Sequence, residues 1–469
     1  MSAMFDLSTP RRVHVVGVGG PGMSAIAQVL TQMGNVVSGS DVRESGVIER
    51  LRALGVAVTI GHDPRVVHGC DVVTASSAIP ESNSELHEAV TRGITTLTRA
   101  QMLAAICAAK ETIAVAGTHG KTTTSSMLMT VMAGAGLSPS FIIGGDVREL
   151  GVGAAWNSGK HLIVEADESD GTHEQLPISA TILTNIDLDH LDYFQSFERL
   201  LESFSRYLSS VSGTKVVCVN DEHIAVMVKL LQSTVGLTTY GIDVDADVVG
   251  SNLEFAHGGS RFTVSMNGGV LGDVSLRLRG RHNVLNALGV IAMSMRLGIS
   301  FAHIQESLAG FGGVVRRFDL RGTDGGVTFV DDYAHLPNEI AAVLGSCRDS
   351  TDSWKRIVAV FQPNRFNRMS VMSEAYAGCF LDADVVVVTD IYSSGTAPIA
   401  GVTGKLVVDA VIAAHPSTHI EWKQSRIELI EYLATELRAG DLCISMGCGD
   451  IQSLPDEVMI RRSQMRGAQ

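Results

Sequence analysis

The stretch VHVVGVGGPGMSAIAQVL, Val13–Leu30, predicts the first unit of the fold. A run of β-branched residues leads into a glycine-rich turn, and apolar residues then recur at helical spacing. Gly17, Gly19 and Gly22 fit the pattern G-x-G-x-x-G, and Asp41 closes the strand-like stretch VVSGSD further along the chain. A strand, a glycine turn and a helix in this order form a diphosphate site, because the turn and the helix N-terminus offer backbone N–H groups.

A second glycine loop, AGTHGKTTT, follows the strand-like run TIAVA and precedes another helical pattern. Lys121 adds positive charge to such a loop, and Thr122 is placed to offer a hydroxyl to Mg²⁺. The spacing departs from G-x-x-x-x-G-K-[ST], because Val115 occupies the first glycine position. The strand-to-helix context favours a nucleoside triphosphate site over a structural turn. The first loop alone is typical of a nicotinamide-dependent oxidoreductase, but that reading leaves the second loop unexplained.

Two acidic stretches follow the next two strand-like runs. The first, EADESD, supplies Glu165, Asp167, Glu168 and Asp170, and the second, NIDLDHLDYF, supplies Asp187, Asp189, His190 and Asp192. Acidic loops are often solvated surface, but the position of these two after strands beside a phosphate loop favours a site. Oxygen ligands are those that Mg²⁺ prefers, so the sequence predicts a magnesium site here.

The chain divides by pattern into three blocks, with boundaries near residues 110 and 318. Short β-rich runs alternate with helical patterns in each block, which predicts α/β domains built on mainly parallel sheets. Residues 240–280 differ, because they alternate and are rich in turns, and they predict antiparallel hairpins added to the central block.

Composition excludes several classes of partner. The 36 basic and 50 acidic residues give a net charge of −14, a poor balance for binding nucleic acid or anionic membranes. The seven cysteines form no C-x-x-C pair and are expected to be buried, reduced thiols. The N-terminus lacks an apolar signal region and the chain lacks an apolar run of about 20 residues, so we expect a cytoplasmic protein without membrane insertion.

Seven motifs occur in the order typical of the Mur ligase family, which the chain resembles over essentially its whole length. They are GVGGPGMS, AGTHGKTTT, EADESD, TNIDLDHLDYF, GRHNVLNALG, RRFD and DDYAHLPNE. The resemblance implies a Rossmann-like N-terminal domain for a UDP-sugar (1–110) and a central P-loop ATPase-like domain with added β hairpins (111–318). It also implies a Rossmann-like C-terminal domain (319–469) that binds the amino acid and closes over ATP.

Within the family, GVGGPGMS, SGSD and SSAI resemble the members that join L-alanine to the lactyl carboxylate of UDP-N-acetylmuramate. That reaction uses ATP and proceeds through an acyl phosphate, giving ADP and phosphate. The resemblance implies a monomer or homodimer acting in peptidoglycan precursor synthesis. The alternative within the family is a murein peptide ligase that attaches a tripeptide to the same UDP-sugar, and a non-catalytic nucleotide-binding regulator is a further alternative.

The resemblance also implies roles for individual residues. ATP would be held by the phosphate loop, Gly117, Thr118, His119, Gly120, Lys121, Thr122 and Thr123, and by Asn286, Arg317 and Asp332. Thr122 would bind one Mg²⁺, and Glu168 and His190 would bind a second. The catalytic group would be Lys121, Glu168, His190, His335 and Arg365. The UDP-sugar would contact Gly17, Gly19, Gly20, Gly22, Ser40, Asp41 and Ser77.

The chain departs from the family pattern only in the block that receives the amino acid. Leu336 stands where the family usually has the second histidine of a Tyr-Gly-His-His-Pro motif, and Asn364 stands for the histidine of Gln-Pro-His-Arg-Tyr. The segment IYSSGTAPIAG replaces a Tyr-Ala-Ala/Pro-Gly-Glu pattern. These changes leave glycine and serine as alternative acceptors beside L-alanine.

Overall fold

The structure is a computed structural model, and it describes residues 4–76, 78–148, 150–189, 191–231, 233–256, 259–348 and 354–467. These residues form three sheets, of five, ten and six strands, and helices accompany each sheet, which confirms the α/β, three-domain prediction. The chain divides into two compact units. The second unit comprises Leu253–Arg261, Ser275–Val284 and Gly312–Gln469, and the first comprises the remainder.

The first sheet has the order β3-β2-β1-β4-β5, and its four pairings are parallel. The chain reverses its direction of winding between β1 and β4, the place where ligands bind in open α/β sheets. The strands are β1 (Arg12–Val16), β2 (Val36–Asp41), β3 (Ala57–Ile60), β4 (Val72–Ala75) and β5 (Thr95–Thr98). The helices are α1 (Pro21–Gln32), α2 (Gly46–Ala53), α3 (Ser84–Thr91) and α4 (Arg99–Cys107).

Side-chain caps set where three of these helices begin. Ser45 accepts the Ile48 N–H at the start of α2, and Asn83 accepts two N–H groups at the start of α3. Thr98 and Gln101 form a reciprocal capping box that begins α4 directly after β5.

The central sheet has the order β15-β14-β13-β12-β11-β10-β6-β9-β7-β8. The three strands that precede the phosphate loop and the two acidic stretches, β6, β9 and β10, are parallel neighbours. The strands are β6 (Glu111–Ala116), β7 (Ser140–Val147), β8 (Val152–Ala155), β9 (His161–Glu165), β10 (Ala180–Leu183), β11 (Thr214–Cys218), β12 (Leu237–Ile242), β13 (Val248–Ala256), β14 (Gly259–Met266) and β15 (Gly269–Leu276). The helices are α5 (Lys121–Gly134), α6 (Leu191–Phe194), α7 (Phe197–Ser210), α8 (Glu222–Leu230), α9 (Arg281–Arg296) and α10 (Phe301–Gly310).

The turn-rich stretch between residues 240 and 280 forms the edge of this sheet. Strands β14 and β15 lie side by side and are joined by Asn267 and Gly268, whose φ angles are 49° and 79°. Two consecutive residues with positive φ are what a two-residue hairpin turn requires, and the Asn-Gly pair adopts that geometry readily. The predicted hairpin is therefore present here.

The third sheet has the order β16-β17-β21-β18-β19-β20, with β16 antiparallel to β17 and the other pairings parallel. Its strands are β16 (Asp319–Asp324), β17 (Val327–Asp332), β18 (Arg356–Phe361), β19 (Val385–Val388), β20 (Ile420–Trp422) and β21 (Asp441–Met446). Its helices are α11 (Pro337–Arg348), α12 (Phe366–Met372), α13 (Lys405–Ala414), α14 (Arg426–Glu436) and α15 (Leu454–Gly467).

Apolar side chains from both faces of the sheets form the cores. The central strands of the third sheet, for example, are continuous apolar runs, as expected for parallel strands covered on both sides. All seven cysteines are free, and five are buried as predicted, whereas Cys70 and Cys448 are partly exposed. Burial raises the pKa of the Cys107 and Cys443 thiols to about 12. Among the described residues, no helix has the length and apolar character required to cross a bilayer.

Candidate active site

The first glycine loop is closed by hydrogen bonds from its own backbone to the end of β2. The N–H groups of Gly17 and Val18 donate to the Ser40 carbonyl at 2.9 and 3.0 Å. The Gly19 N–H donates to Asp41 Oδ2 at 2.8 Å. A Cβ on Gly19 would lie 2.8 Å from the same oxygen, so only glycine allows the carboxylate this close. Asp41 therefore belongs to the loop itself.

Ser40 takes part in a buried polar network centred on Glu85. The Ser40 hydroxyl donates to Glu85 Oε2 at 2.5 Å, and both side chains are fully buried. The same carboxyl group lies 3.4 Å from His14 Nε2 and 3.3 Å from His62 Nδ1, and it accepts the Asp63 N–H. His62 is about one-quarter exposed, so it presents this network to the ligand edge of the sheet. Sequence reasoning missed Glu85, because the stretch around it shows only the pattern of an amphipathic helix.

The phosphate loop begins where β6 ends. Strand β6 continues through Val115 to Ala116, which explains why the first glycine of the longer motif is absent: the position lies inside a buried strand. Gly117 has a φ of 120°, and Gly120 has a φ of 81° and forms the N-cap of α5. The first N–H groups of any helix lack intrahelical partners, so those of α5 are available to an anion.

Asn185 holds this loop from the end of β10. Its carbonyl accepts the Thr118 N–H at 3.1 Å, its Oδ1 accepts the His119 N–H at 2.8 Å, and its Nδ2 donates to the His119 carbonyl. His119 Nε2 lies 2.9 Å from Asp187 Oδ2. Sequence reasoning missed Asn185, although its position just after a strand, at the start of the second acidic stretch, was a usable signal.

Lys121 and Glu168 form the charged centre of the site. Lys121 Nζ lies 2.8 and 3.0 Å from the two carboxylate oxygens of Glu168 and donates to the Gly117 carbonyl at 2.6 Å. Glu168 is 1% exposed. Burial lowers the pKa of Lys121, but the carboxylates of Glu168 and Asp167 together raise it by a larger amount. The net pKa of the lysine therefore lies above its usual range. The lysine is therefore charged and is held at the phosphate loop by its acidic neighbour.

Two further predicted residues lie against the same loop. The Thr122 hydroxyl donates to Glu165 Oε2 at 3.3 Å, and Glu165 also accepts the Gly144 N–H. The Asn286 side chain packs on Gly120, where a Cβ would lie 2.6 Å from Asn286 Oδ1. Sheet order brings Thr122 and Glu165 together, because the neighbouring strands β6 and β9 end at one edge.

The metal prediction is covered only in part by the described residues. Thr122 and Glu168 lie at the loop, whereas His190 lies outside the described residues, as does Ser77 of the predicted sugar site. Within the described ranges, no group of three or more His, Cys, Asp or Glu side chains is arranged to hold a metal ion. The oxygen donors that are present are a hydroxyl and carboxylates, the chemistry that suits Mg²⁺.

The second unit contains a separate cluster at the carboxyl ends of β17, β21 and β18. Asp332 is 4% exposed and accepts the N–H groups of Phe318 and Ala334, both at 2.7 Å. The Arg317 guanidinium lies over the Tyr333 ring, 5.0 Å from its centroid. His335 Nδ1 lies 3.1 Å from Glu339 and 3.2 Å from the Tyr333 carbonyl.

Arg365 follows β18 at the same edge. Its φ of 63° is unusual for a residue with a side chain, and its N–H donates to the Tyr392 carbonyl. Of the three departures from the family pattern, the two single-residue changes are internal: Leu336 is 5% exposed and Asn364 is 3% exposed. Asn364 Oδ1 accepts a hydrogen bond from Arg368 at 3.1 Å, so the amide positions an arginine beside Arg365.

The stability of the protein is expected to depend on pH through the buried carboxyl group of Asp332. Burial raises its pKa to about 6, although the Arg317 charge and the two N–H donors lower it. The folded carboxyl then stays protonated at pH values where the unfolded one is ionised, so stability falls as pH rises from about 4 to about 6. Relative to Asp332→Asn, the wild-type free energy of unfolding is expected to drop by about 2 kcal/mol between pH 4 and pH 7.

Urea unfolding at several pH values measures this difference. Asp324→Asn is the matched control, because Arg466 holds the pKa of Asp324 down at about 2 and burial opposes it less strongly. The difference in unfolding free energy between Asp324→Asn and the wild type should vary with pH in the opposite direction. The reason is that the wild type loses stability as pH falls from about 4 to about 2. A pH-independent difference for Asp332→Asn would contradict the raised pKa.

Comparison with known proteins identifies the family to which the chain belongs. Three family models match the chain: the Mur ligase family catalytic domain at residues 12–111, the Mur ligase middle domain at 115–294, and the Mur ligase glutamate ligase domain at 316–449. The chain belongs to the Mur ligase family, as the motifs predicted.

Individual relatives carry a more specific name. The chain is 40% identical over 452 residues to a UDP-N-acetylmuramate–L-alanine ligase of Geobacter sp. strain M21, covering 96% of this chain and 97% of that protein. The solved UDP-N-acetylmuramate-alanine ligase of Thermotoga maritima superposes with a TM-score of 0.81 at 28% identity, covering 97% and 100% of the two chains. A murein peptide ligase of Psychrobacter arcticus shares the fold, with a TM-score of 0.67 at 23% identity and coverage of 96% and 98%.

Proposed function

We propose that this chain uses ATP to join L-alanine to the lactyl carboxylate of UDP-N-acetylmuramate, a step of cytoplasmic peptidoglycan precursor synthesis. The observation that carries the proposal is the Lys121–Glu168 pair at a phosphate loop, in a chain similar over nearly its full length to ligases named for these substrates. The tripeptide-attaching alternative has less support, because the likeness to the murein peptide ligase lies at the level of the fold.

The chemistry requires activation of a carboxylate, since a carboxylate oxygen leaves poorly and phosphate leaves well. Attack of the lactyl carboxylate on the γ-phosphorus gives an acyl phosphate and ADP. The amino group of L-alanine then attacks the acyl carbon, and phosphate leaves from the tetrahedral intermediate as the amide forms. The chain's contribution is to position the reactants and neutralise charge, which suits Lys121 and the N–H groups at the start of α5.

Residues 1–110 would bind the UDP-sugar, 111–318 would bind ATP, and 319–469 would bind the amino acid and cover the nucleotide. We assign the diphosphate of the sugar nucleotide to the first glycine loop, near Asp41. Asn286 would contact the adenine, and Asp332 the ribose. Arg365 has the planar fork needed to pair with the L-alanine carboxylate, with His335 nearby in the same cluster.

One Mg²⁺ would be held by Thr122, and a second by Glu168 together with His190 from the part of the chain outside the described residues. The Thr122 hydroxyl is hydrogen-bonded to the Glu165 carboxylate. Oxygen atoms of the kind that Mg²⁺ prefers as ligands therefore lie close together at the loop. Bound Mg²⁺ would neutralise part of the negative charge on the phosphates. Glu168 would then exchange its contact with Lys121 for the metal and leave the lysine for the phosphates.

Phosphate release from ATP tests the assignment. We expect release only when UDP-N-acetylmuramate and an accepted amino acid are both present, with L-alanine, glycine, serine and the tripeptide compared at equal concentration. L-Alanine should give the highest kcat/KM. Release without the sugar nucleotide, or none with L-alanine, would refute the proposal, and preference for the tripeptide would establish the alternative.

A further inference from the structure

Arg99 is the first residue of α4, and it reaches from the first sheet to the acidic turn after β9. Its Nη2 lies 2.8 Å from Asp170 Oδ2, 3.4 Å from Asp167 Oδ2 and 3.3 Å from the Thr172 hydroxyl. The side chain is 21% exposed. The capping box at Thr98 holds the start of the helix, so the base of this arginine is fixed.

The opposite side of Arg99 faces the first glycine loop. A Cβ placed on Gly22 would lie 3.5 Å from Arg99 Nη1 and 3.6 Å from its Cδ. The guanidinium therefore lies between the last glycine of the loop assigned to the sugar nucleotide and the turn that carries Glu168.

The turn itself is held at both carboxylates that Arg99 contacts. Asp167 Oδ1 accepts the Ser169 N–H at 3.0 Å, and the Asp167 carbonyl accepts the His173 N–H. Asp170 Oδ1 accepts the Thr172 N–H at 3.1 Å. Glu168 lies between the two aspartates in the chain, so the position of the Lys121 partner depends on the turn.

The charge balance of the turn also needs Arg99. Two cations lie on the three carboxylates of the turn: Arg99 on Asp167 and Asp170, and Lys121 on Glu168. Without the guanidinium, the carboxylates of Asp167 and Asp170 would lose this partner while they remain next to Glu168 in the chain. Like charges at this spacing repel, so the turn would loosen.

We propose that Arg99 is a positioning residue that fixes the Asp167–Thr172 turn, and Glu168 within it, against the first glycine loop. The acceptor loop and the phosphate loop are thereby held at a constant separation for phosphoryl transfer. The kinetic part of this inference rests on the proposed function, whereas the structural part does not. One guanidinium nitrogen, Nη2, contacts both carboxylates, so the position requires a cationic donor, and a lysine ammonium without the fixed planar geometry would replace it only in part.

Hydrogen exchange tests the structural part. In Arg99→Gln, the amides of Ser169, Thr172 and His173 should exchange about tenfold faster or more, while the Thr124 amide in α5 is unchanged. Arg52→Gln is the matched control, because Arg52 also forms an ion pair, in this case with Glu44 of the first domain, and both residues are remote from the turn in sequence. Unchanged exchange in the turn of Arg99→Gln would overturn the inference whether or not the chain is an active ligase.

Kinetics test the functional part. Arg99→Gln should lower kcat about tenfold or more and raise the KM for ATP, with the dissociation constant for UDP-N-acetylmuramate changed by less than about twofold. Arg99→Lys should recover part of the loss. Asp170→Asn should resemble Arg99→Gln, and the double variant should be no worse than the more impaired single variant, because both changes release the same turn.

Two kinetic outcomes would count against the role. Full additivity of the two variants would mean that Arg99 acts outside the turn. A loss of UDP-N-acetylmuramate binding in parallel with kcat would mean that Arg99 serves only the first domain. If wild-type chain releases no phosphate at all, the proposed function fails, and the exchange measurement alone decides the role of Arg99.

Discussion

Replacing Lys121 by alanine is expected to lower the rate of phosphate release by about a thousandfold or more, equivalent to ~4 kcal/mol of transition-state stabilisation. The ammonium is the positive side chain at the phosphate loop, 2.6 Å from the Gly117 carbonyl, and it would neutralise charge on the transferred phosphoryl group. UDP-N-acetylmuramate should still bind, because its assigned loop is built from β1 and β2. Calorimetric titration and a phosphate-release assay measure the two effects separately.

Lys229→Ala is the control for this prediction, since Lys229 is an exposed lysine on α8 of the same domain. It should leave both measurements unchanged. The alanine at 121 also leaves the buried Glu168 without its lysine, so Lys121→Arg, which keeps a positive charge, separates loss of charge from loss of folding. Retained phosphate release in Lys121→Ala, or loss of sugar-nucleotide binding, would refute the division of labour between the two loops.

A methyl group at Gly117 is expected to abolish ATP binding by displacing the phosphate loop. The Cβ of Gly117→Ala would lie 2.3 Å from the Thr184 hydroxyl and 2.7 Å from the Asn185 carbonyl, both closer than contact allows. The φ of 120° adds strain for any residue with a side chain. We expect a loss of about 2–4 kcal/mol in unfolding free energy and at least about a hundredfold weaker nucleotide binding.

Gly136→Ala separates the two causes. Gly136 has a φ of 75°, but nothing lies within 4 Å of a Cβ built there, so this variant carries conformational strain without a clash. It should cost about 1 kcal/mol and leave nucleotide binding intact. Thermal denaturation measures the change in stability, and titration with an ATP analogue measures the change in nucleotide binding. Equal effects of the two variants would show that a glycine is not required at position 117 for the close approach of Asn185.

Much of the fold was predictable because it depends on local pattern. The β-branched runs, the glycine turns and the Asn267–Gly268 hairpin each follow from residues close in sequence, and each is present. The family was predictable for the same reason, since its motifs are short and ordered. The assignments of individual site residues remain predictions, and the boundaries at 110 and 318 do also.

Sequence reasoning could not supply the partners of the site residues. The acidic stretches were expected near the phosphate loop, but which carboxylate meets which group depends on the order β10-β6-β9. Glu168 thus meets Lys121, whereas Glu165 meets Thr122. Asn185 and Glu85 were missed because a single amide or carboxyl group has no pattern until folding surrounds it with donors.

The two glycine loops, the family and the residue types that can bind phosphate follow from the linear sequence, because they depend on neighbours in the chain. The pairing of Arg99 with Asp170, 71 positions away, and of Ser40 with Glu85, 45 positions away, follows only from the folded chain. Such pairs form when parallel strands end at one edge and bring distant loops together. Their energies depend on distance and burial, and a linear sequence contains neither.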